Sequence, residues 1–240
     1  MNEDPRPEGV EGWLTAEQAG VLAAAAAACP ADGEIVEIGS FRGLSTIVLA
    51  AHAPESASVV AIDPHAGNDR GPGEISGYAD AAASDRVVFE RNLVAAGVRH
   101  RVRHVPVASA DAHAHVGGAI DVLYIDGAHR YAAARADIRD WGGRVADGGT
   151  LLIHDAFSSV GVTLAVMRGL LLGRRFRYVG RSRTLVEYRA DLPATGLPGA
   201  VANVARQLAV LPYFVWNLGL KALLVVLMAR SPKRATLWPY

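Results

Sequence analysis

The chain is 240 residues long with 24 basic and 24 acidic side chains, so it lacks the basic excess expected of a general nucleic-acid binder. Hydrophobic residues make up 51% of it, enough for a sizeable core in one large domain or a domain with an appendage. The single cysteine, Cys29, excludes an intrachain disulfide and any multi-cysteine metal site.

Met1 to Gly12 is acidic and proline-bearing and lacks the basic-then-apolar order of a secretory leader, so a cytoplasmic protein is expected. Thr15 and Gln18 have capping-box spacing and open a helix through the alanine run Ala23 to Ala28. Glu34 to Ile38 is a short apolar run ending at Gly39, and Leu44 to His52 reads as a helix. A second strand, Ser58 to Ile62, ends at Asp63, and a long polar, glycine-rich loop follows from Pro64 to Gly77. Asp85 to Ala96 is helical with Gly97 as its stop, and Arg101 to Val107 is a third strand. Ile120 to Ile125 is a fourth, ending at Asp126, followed by a helix from Ala132 to Trp141. Thr150 to Ile153 is a fifth, ending at His154 and Asp155, followed by a helix from Val160 to Leu172. Phe176 to Val179 and Thr184 to Tyr188 form a hairpin around Gly180, and Asp191 to Gly199 has the composition of a linker.

This alternation predicts an α/β fold: a doubly wound, Rossmann-like seven-strand sheet, mostly parallel with an antiparallel edge hairpin. Residues 1–32 are expected to form an N-terminal helical segment, 33–190 the main α/β domain, and 191–240 a linker with a C-terminal hydrophobic helical extension. Ligands of open α/β sheets bind beyond the carboxyl ends of the strands. The polar strand ends at Glu37–Gly39, Asp63, Ser109–Asp111, Asp126 and His154–Asp155 therefore share one rim.

The turn after the first strand has only Gly39 and Gly43, one glycine short of the dinucleotide fingerprint, and no G-K-[ST] of a phosphate loop. Asp63 lies where an acidic residue binds ribose hydroxyls in a nucleotide site. The four motifs E-I-G-S-x-x-G-x-S-T, A-I-D-P, L-Y-I-D-G-x-H-x-Y and G-G-T-L-L-I-H-D span Gly33 to Tyr188 with the adjoining elements. Together they resemble a class I S-adenosylmethionine-dependent methyltransferase, and more narrowly the small bacterial metal-dependent O-methyltransferases of macrolide and other sugars. The resemblance implies that Glu37, Gly39 and Ser40 line the methionine part of the cofactor, with Ser45 of the same motif among the cofactor residues. It implies that Asp63 holds the ribose, and that Ser109, Ala110 and Asp111 meet the adenine. A helix N-cap before Ala112 to Val116 is the plainer role for Asp111.

The same resemblance places a divalent cation, Mg²⁺ or alternatively Mn²⁺, on Asp126 and Asp155. His154 stands where the family carries an acidic residue, which leaves the third ligand and the ion open. His129 matches the family's general base; imidazole titrates near neutrality, and a cation on a hydroxyl oxygen eases its deprotonation. His154 is a second candidate base. Asp126 as a helix N-cap and Asp155 in a surface turn are the plainer alternatives. His65, Arg130 and Tyr131 are candidate acceptor contacts, whereas His100 and His104, among arginines, read as surface residues, and His113 and His115 as residues on different faces of a short helix.

Leu208 to Ala229 is almost wholly apolar, with Lys221 as its one charge and Arg206, Arg230, Lys233 and Arg234 around it. A helix pair packed on the catalytic domain or on a second subunit is favoured. A helix in the membrane interface and a transmembrane helix are the alternatives. The expected protein is a cytoplasmic homodimer, with a peripheral membrane contact through 208–229 as the other localisation. It would methylate a sugar hydroxyl of a small-molecule, oligosaccharide or glycoconjugate acceptor. Only two lysines amid abundant alanine suggest high-GC coding, hence an actinobacterial polysaccharide or glycolipid. Rival readings are methylation of a phenol or catechol, a non-catalytic membrane-associated protein on the same fold, and, more distantly, a nicotinamide oxidoreductase.

Overall fold

The computed structural model describes residues 4–66 and 79–230, with the side chains of 79–83 and 224–230 outside that description. Most of the expected Pro64–Gly77 loop, and the basic residues Lys233 and Arg234, therefore lie outside the described residues.

Five short parallel strands form the centre: β1 (Glu34–Ile38), β2 (Ser58–Ile62), β3 (Val102–Val105), β4 (Ile120–Ile125) and β5 (Val145–Ile153). β6 (Arg177–Ser182) and β7 (Leu185–Arg189) close one edge as an antiparallel pair, giving the order β3-β2-β1-β4-β5-β7-β6. The helices are α1 (Ala16–Ala27), α2 (Leu44–His52), α3 (Ala79–Ala95), α4 (Tyr131–Asp140), α5 (Val160–Leu170), α6 (Gly196–Leu208) and α7 (Leu211–Arg230). Strands covered on both faces read as continuous apolar runs. In β4, Val122 and Tyr124 face one core with α1 and α2, while Leu123 and Ile125 face the other with α4 and α5.

Register sets the rim. Ile38 pairs with Ile62 on one side and Ile125 on the other, and Ile125 pairs with Ile153. Gly39, Asp63, Asp126 and His154, each one residue further on, consequently emerge side by side at the carboxyl edge. Gly39 has φ 87°, and a Cβ there would lie 2.2 Å from the Asp126 carbonyl oxygen, so the turn out of β1 requires glycine.

Several boundaries differ from expectation. The hairpin turns at Arg183 (φ 52°) and Thr184, not Gly180, which lies within β6 opposite Glu187 at a register shift. The Thr184 hydroxyl accepts the Gln18 side-chain amide at 3.2 Å, tying the turn to α1. Thr15 and Gln18 do form the capping box of α1. α3 begins at Ala79, β3 is shorter than the expected strand, and β5 starts at Val145. Two 3-10 turns, Ser109–Asp111 and His113–His115, replace the short helix expected after Asp111. The expected linker folds instead into a 3-10 turn, Leu192–Thr195, running straight into α6. Its prolines sit in first turns, where a missing N–H costs little.

The C-terminal helices pack on the domain. Asn203 accepts the Tyr178 N–H at 2.6 Å, Gln207 accepts the Tyr188 hydroxyl at 3.0 Å, and Asn217 donates to the Phe157 carbonyl at 2.8 Å. Val210, Leu211, Tyr213 and Phe214 lie against the core shared by α4 and α5. Among the described residues no helix is long and apolar enough to cross a membrane.

Candidate active site

A cavity of about 440 Å³ opens over the carboxyl edge, a size suited to a small-molecule ligand. Gly39, Ser40, Ser45, Asp63, Ser109 and Ala110 line it, together with Asp126, His129, His154, Asp155 and His65. Glu37 lies beneath this lining, fully buried, with the hydroxyls of Ser45 (2.5 Å) and Thr46 on its two oxygens. Burial raises its carboxyl to about 8 despite those hydrogen bonds, and the nearby Asp126 and Asp63 carboxylates add to the rise. Asp111 is exposed at the end of its 3-10 turn and caps no helix. Arg130 and Tyr131 are exposed at the start of α4, also outside the lining.

Asp63 organises the first turn. Its Oδ2 accepts the N–H groups of Ser40 (2.9 Å) and Phe41 (2.8 Å), and its Oδ1 accepts that of His65 (2.7 Å). A carboxylate offers about four acceptor sites, so one remains for a ligand hydroxyl. The Ser40 hydroxyl is buried on the cavity wall without a hydrogen-bond partner among the described residues, a group that a bound ligand would satisfy.

At the opposite end, one ligand atom each from Asp126, His154 and Asp155 lies within 4.8 Å of the others. His154 Nδ1 is 3.3 Å from Asp126 Oδ1 and 3.4 Å from Asp155 Oδ2. His129 Nε2 is 3.0 Å from Asp155 Oδ2, and the Tyr124 hydroxyl donates to Asp126 Oδ2 at 2.9 Å. Burial alone would drive the His154 imidazole down, but the Asp126 and Asp155 carboxylates override it and hold its pKa well above the ordinary value. Burial would likewise raise Asp155, but His154 and His129 hold it well below the carboxylate range. Burial, reinforced by the Asp126 and Glu37 charges, keeps Tyr124 a protonated donor.

Asp155 and Phe157 both adopt positive φ, 53° and 60°, the kind of local strain that persists only where surroundings fix it. The Asp155 carbonyl accepts the N–H groups of Ser158 and Ser159, and Ser158 Oγ donates to Asp155 Oδ1 at 2.9 Å. A Cβ on Gly161 would lie 2.1 Å from the His129 carbonyl oxygen, so the start of α5 presses directly on the loop bearing His129.

Other lining residues were not among the sequence candidates. Trp13 and Phe41 form an aromatic pair at 5.0 Å, His113 stacks on Trp141 at 4.4 Å, and Asp137 accepts the Ser109 hydroxyl at 2.6 Å. Asp137 was detectable: Ala134, Asp137, Ile138 and Trp141 share the buried helical stripe of α4, where a carboxyl is conspicuous. His104 is a correction, because its side chain is only 4% exposed and packs between His65 and Phe89, 3.3 Å from the Asp63 carbonyl.

Residues 36–156, half of the chain, match the family described as a methyltransferase domain. The chain belongs to that family. The methyltransferase shares its fold with Rv0187 from MTB, solved cofactor-bound (20% identity, TM-score 0.57, covering 77% of this chain and 83% of that one). It is also similar to TomG from Streptomyces achromogenes, an O-methyltransferase of tomaymycin synthesis solved with SAM (19%, 0.54, 75% and 82%). A third similar structure is the Bacillus cereus O-methyltransferase in complex with SAH (15%, 0.56, 75% and 83%).

Proposed function

We propose that this methyltransferase takes its methyl group from S-adenosylmethionine and, with a divalent cation, passes it to a sugar hydroxyl oxygen of a saccharide or glycoconjugate. The observation that carries the reading is the convergence of Asp126, His154 and Asp155 beside His129 at the end of a cavity that also holds the Gly39 turn and Asp63. The SAM and SAH complexes of TomG and the Bacillus cereus enzyme, both O-methyltransferases, support the donor and the oxygen acceptor. The sugar rests on the I-D-G-x-H resemblance at Ile125–His129.

The residues fit both groups. The acidic lining suits a cationic sulfonium, and the Ser40 hydroxyl awaits a partner. Among the described residues His154 has no hydrogen-bond partner at either ring nitrogen, yet its Nδ1 faces two carboxylate oxygens. Two carboxylates and an imidazole suit a divalent ion, and the imidazole favours Mn²⁺ over Mg²⁺.

When bound, the cation lowers the pKa of an acceptor hydroxyl and the sulfonium supplies an electrophilic methyl group. Gly39, Ser40 and Asp63 hold the donor in place, and much of the rate comes from that alignment. His129 takes the acceptor proton, and Asp155, 3.0 Å from its Nε2, stabilises the resulting imidazolium. Tyr124 keeps the Asp126 carboxylate oriented. The flat Trp13–Phe41 pair would suit a sugar face or a phenol, so the acceptor panel must contain both.

The test has two stages. Calorimetric titration of S-adenosylhomocysteine into the folded protein is expected to give binding, and its absence overturns the proposal. Labelled-methyl transfer to sugars and catechols is then followed in chelator and after adding back Mg²⁺ or Mn²⁺. Activity should disappear in chelator, return with the ion, and be lost in Asp126→Asn and Asp155→Asn. Undiminished activity after chelation removes the cation, and turnover of catechols alone reassigns the acceptor.

A further inference from the structure

The two C-terminal helices bury polar side chains among half-buried apolar ones on their inward side. Among their described side chains, the fully buried ones are Asn203, Gln207 and Asn217, all polar and all hydrogen-bonded to the domain. Lys221, the one charge of α7 among these side chains, also reaches inward, donating to the Ser158 carbonyl at 2.9 Å. Among the described side chains of α7 the exposed positions are Pro212, Val215, Trp216, Gly219, Ala222 and Leu223. Helical spacing places these six on a single stripe without a polar side chain. Val215 is 67% exposed, Trp216 69% and Leu223 54%. A helix on a water-facing surface normally has the opposite arrangement, so this stripe is built to meet an apolar phase.

Charge indicates which one. Apart from the inward-turned Lys221, the sequence from residue 192 to 240 has four basic residues, Arg206, Arg230, Lys233 and Arg234, and no acidic residue, although the whole chain is neutral. A second copy of this segment would offer no carboxylate to pair with these charges. An anionic bilayer offers both the apolar phase and the opposite charge. We infer that the outer face of α7 docks the protein on the surface of an anionic lipid membrane, with Val215, Trp216 and Leu223 seated among the acyl-chain boundaries.

The experiment uses the full-length protein and vesicles of phosphatidylcholine, alone or with 30% phosphatidylglycerol. Flotation should carry the protein with the anionic vesicles, at least tenfold more weakly with the neutral ones, and less as salt rises. Tryptophan emission should shift to the blue on binding, since Trp216 begins in water. The triple variant V215S/W216S/L223S alters exposed side chains only; it should keep the wild-type circular dichroism and lose at least tenfold in vesicle binding. Failure to float with anionic vesicles, or equal flotation of the variant, overturns the inference. Sedimentation of the lipid-free protein reads the other occupant: a dimer dissociated by Val215→Arg, without vesicle binding, assigns the face to a second copy.

Discussion

Replacing Glu37 with glutamine should make the ligand-free protein more stable at neutral pH. Glu37 is wholly enclosed, and its folded pKa of about 8 compares with an ordinary 4.5. For an acid raised in the folded state, stability is fully present below the unfolded pKa and is lost as pH rises towards the folded one. At pH 7 the unfolded chain has released this proton while the folded one has kept it. At ~1.4 kcal/mol per pH interval, folding then carries a cost of about 3 kcal/mol that vanishes near pH 4.5. Glutamine removes the ionisation and fills the same volume, and the Ser45 and Thr46 hydroxyls can turn to accept from its amide. The assay is urea denaturation of both proteins in chelator from pH 4.5 to 8. The stability difference should widen by about 3 kcal/mol between pH 4.5 and 7. A gap that stays constant over that interval would refute a neutral Glu37 beneath the cavity.

Three further outcomes follow from the site. His129→Gln should lower turnover by about 10²- to 10⁴-fold while S-adenosylhomocysteine affinity stays near wild type; a loss confined to affinity would reassign the residue. Gly161→Ala should lower kcat and leave donor binding unchanged, because the added carbon meets the His129 carbonyl at 2.1 Å, and unchanged kinetics would show that α5 can slide away. Asp63→Ala should weaken donor binding at least tenfold and destabilise the turn whose Ser40, Phe41 and His65 N–H groups it accepts, without affecting cation affinity; the reverse pattern would place the donor elsewhere.

The succession of strands along the chain and the rim were readable because buried parallel strands are plain apolar runs, each ending at a glycine or a polar residue. Ile38, Ile62, Ile125 and Ile153 mark those ends in sequence, and the register aligns them. Features decided by distant partners were not readable. The hairpin turn sits at Arg183–Thr184, with Thr184 tied to Gln18 of α1, 166 residues away in the chain. His104 sits in an arginine-rich segment yet is covered by Phe89 and His65 from other elements. Proline and glycine near residue 195 suggest a linker, but in a first helical turn they are harmless, and α6 forms. The apolar run after Leu208 conceals its own polarity, because Asn217 and Lys221 are the residues that turn inward.

That inward turn sets an order of assembly. The sheet is complete once Arg189 has been synthesised, and domains begin folding from their N-terminal side as the chain emerges. The carbonyls of Phe157 and Ser158, directly beyond Asp155, receive Asn217 and Lys221 only when a segment some sixty positions later has been made. A chain ending after β7 would have every strand and all three candidate cation-binding residues, but not the two donors that hold the turn carrying Asp155. A product truncated during translation would thus retain the fold's outline without these two contacts on the turn carrying Asp155.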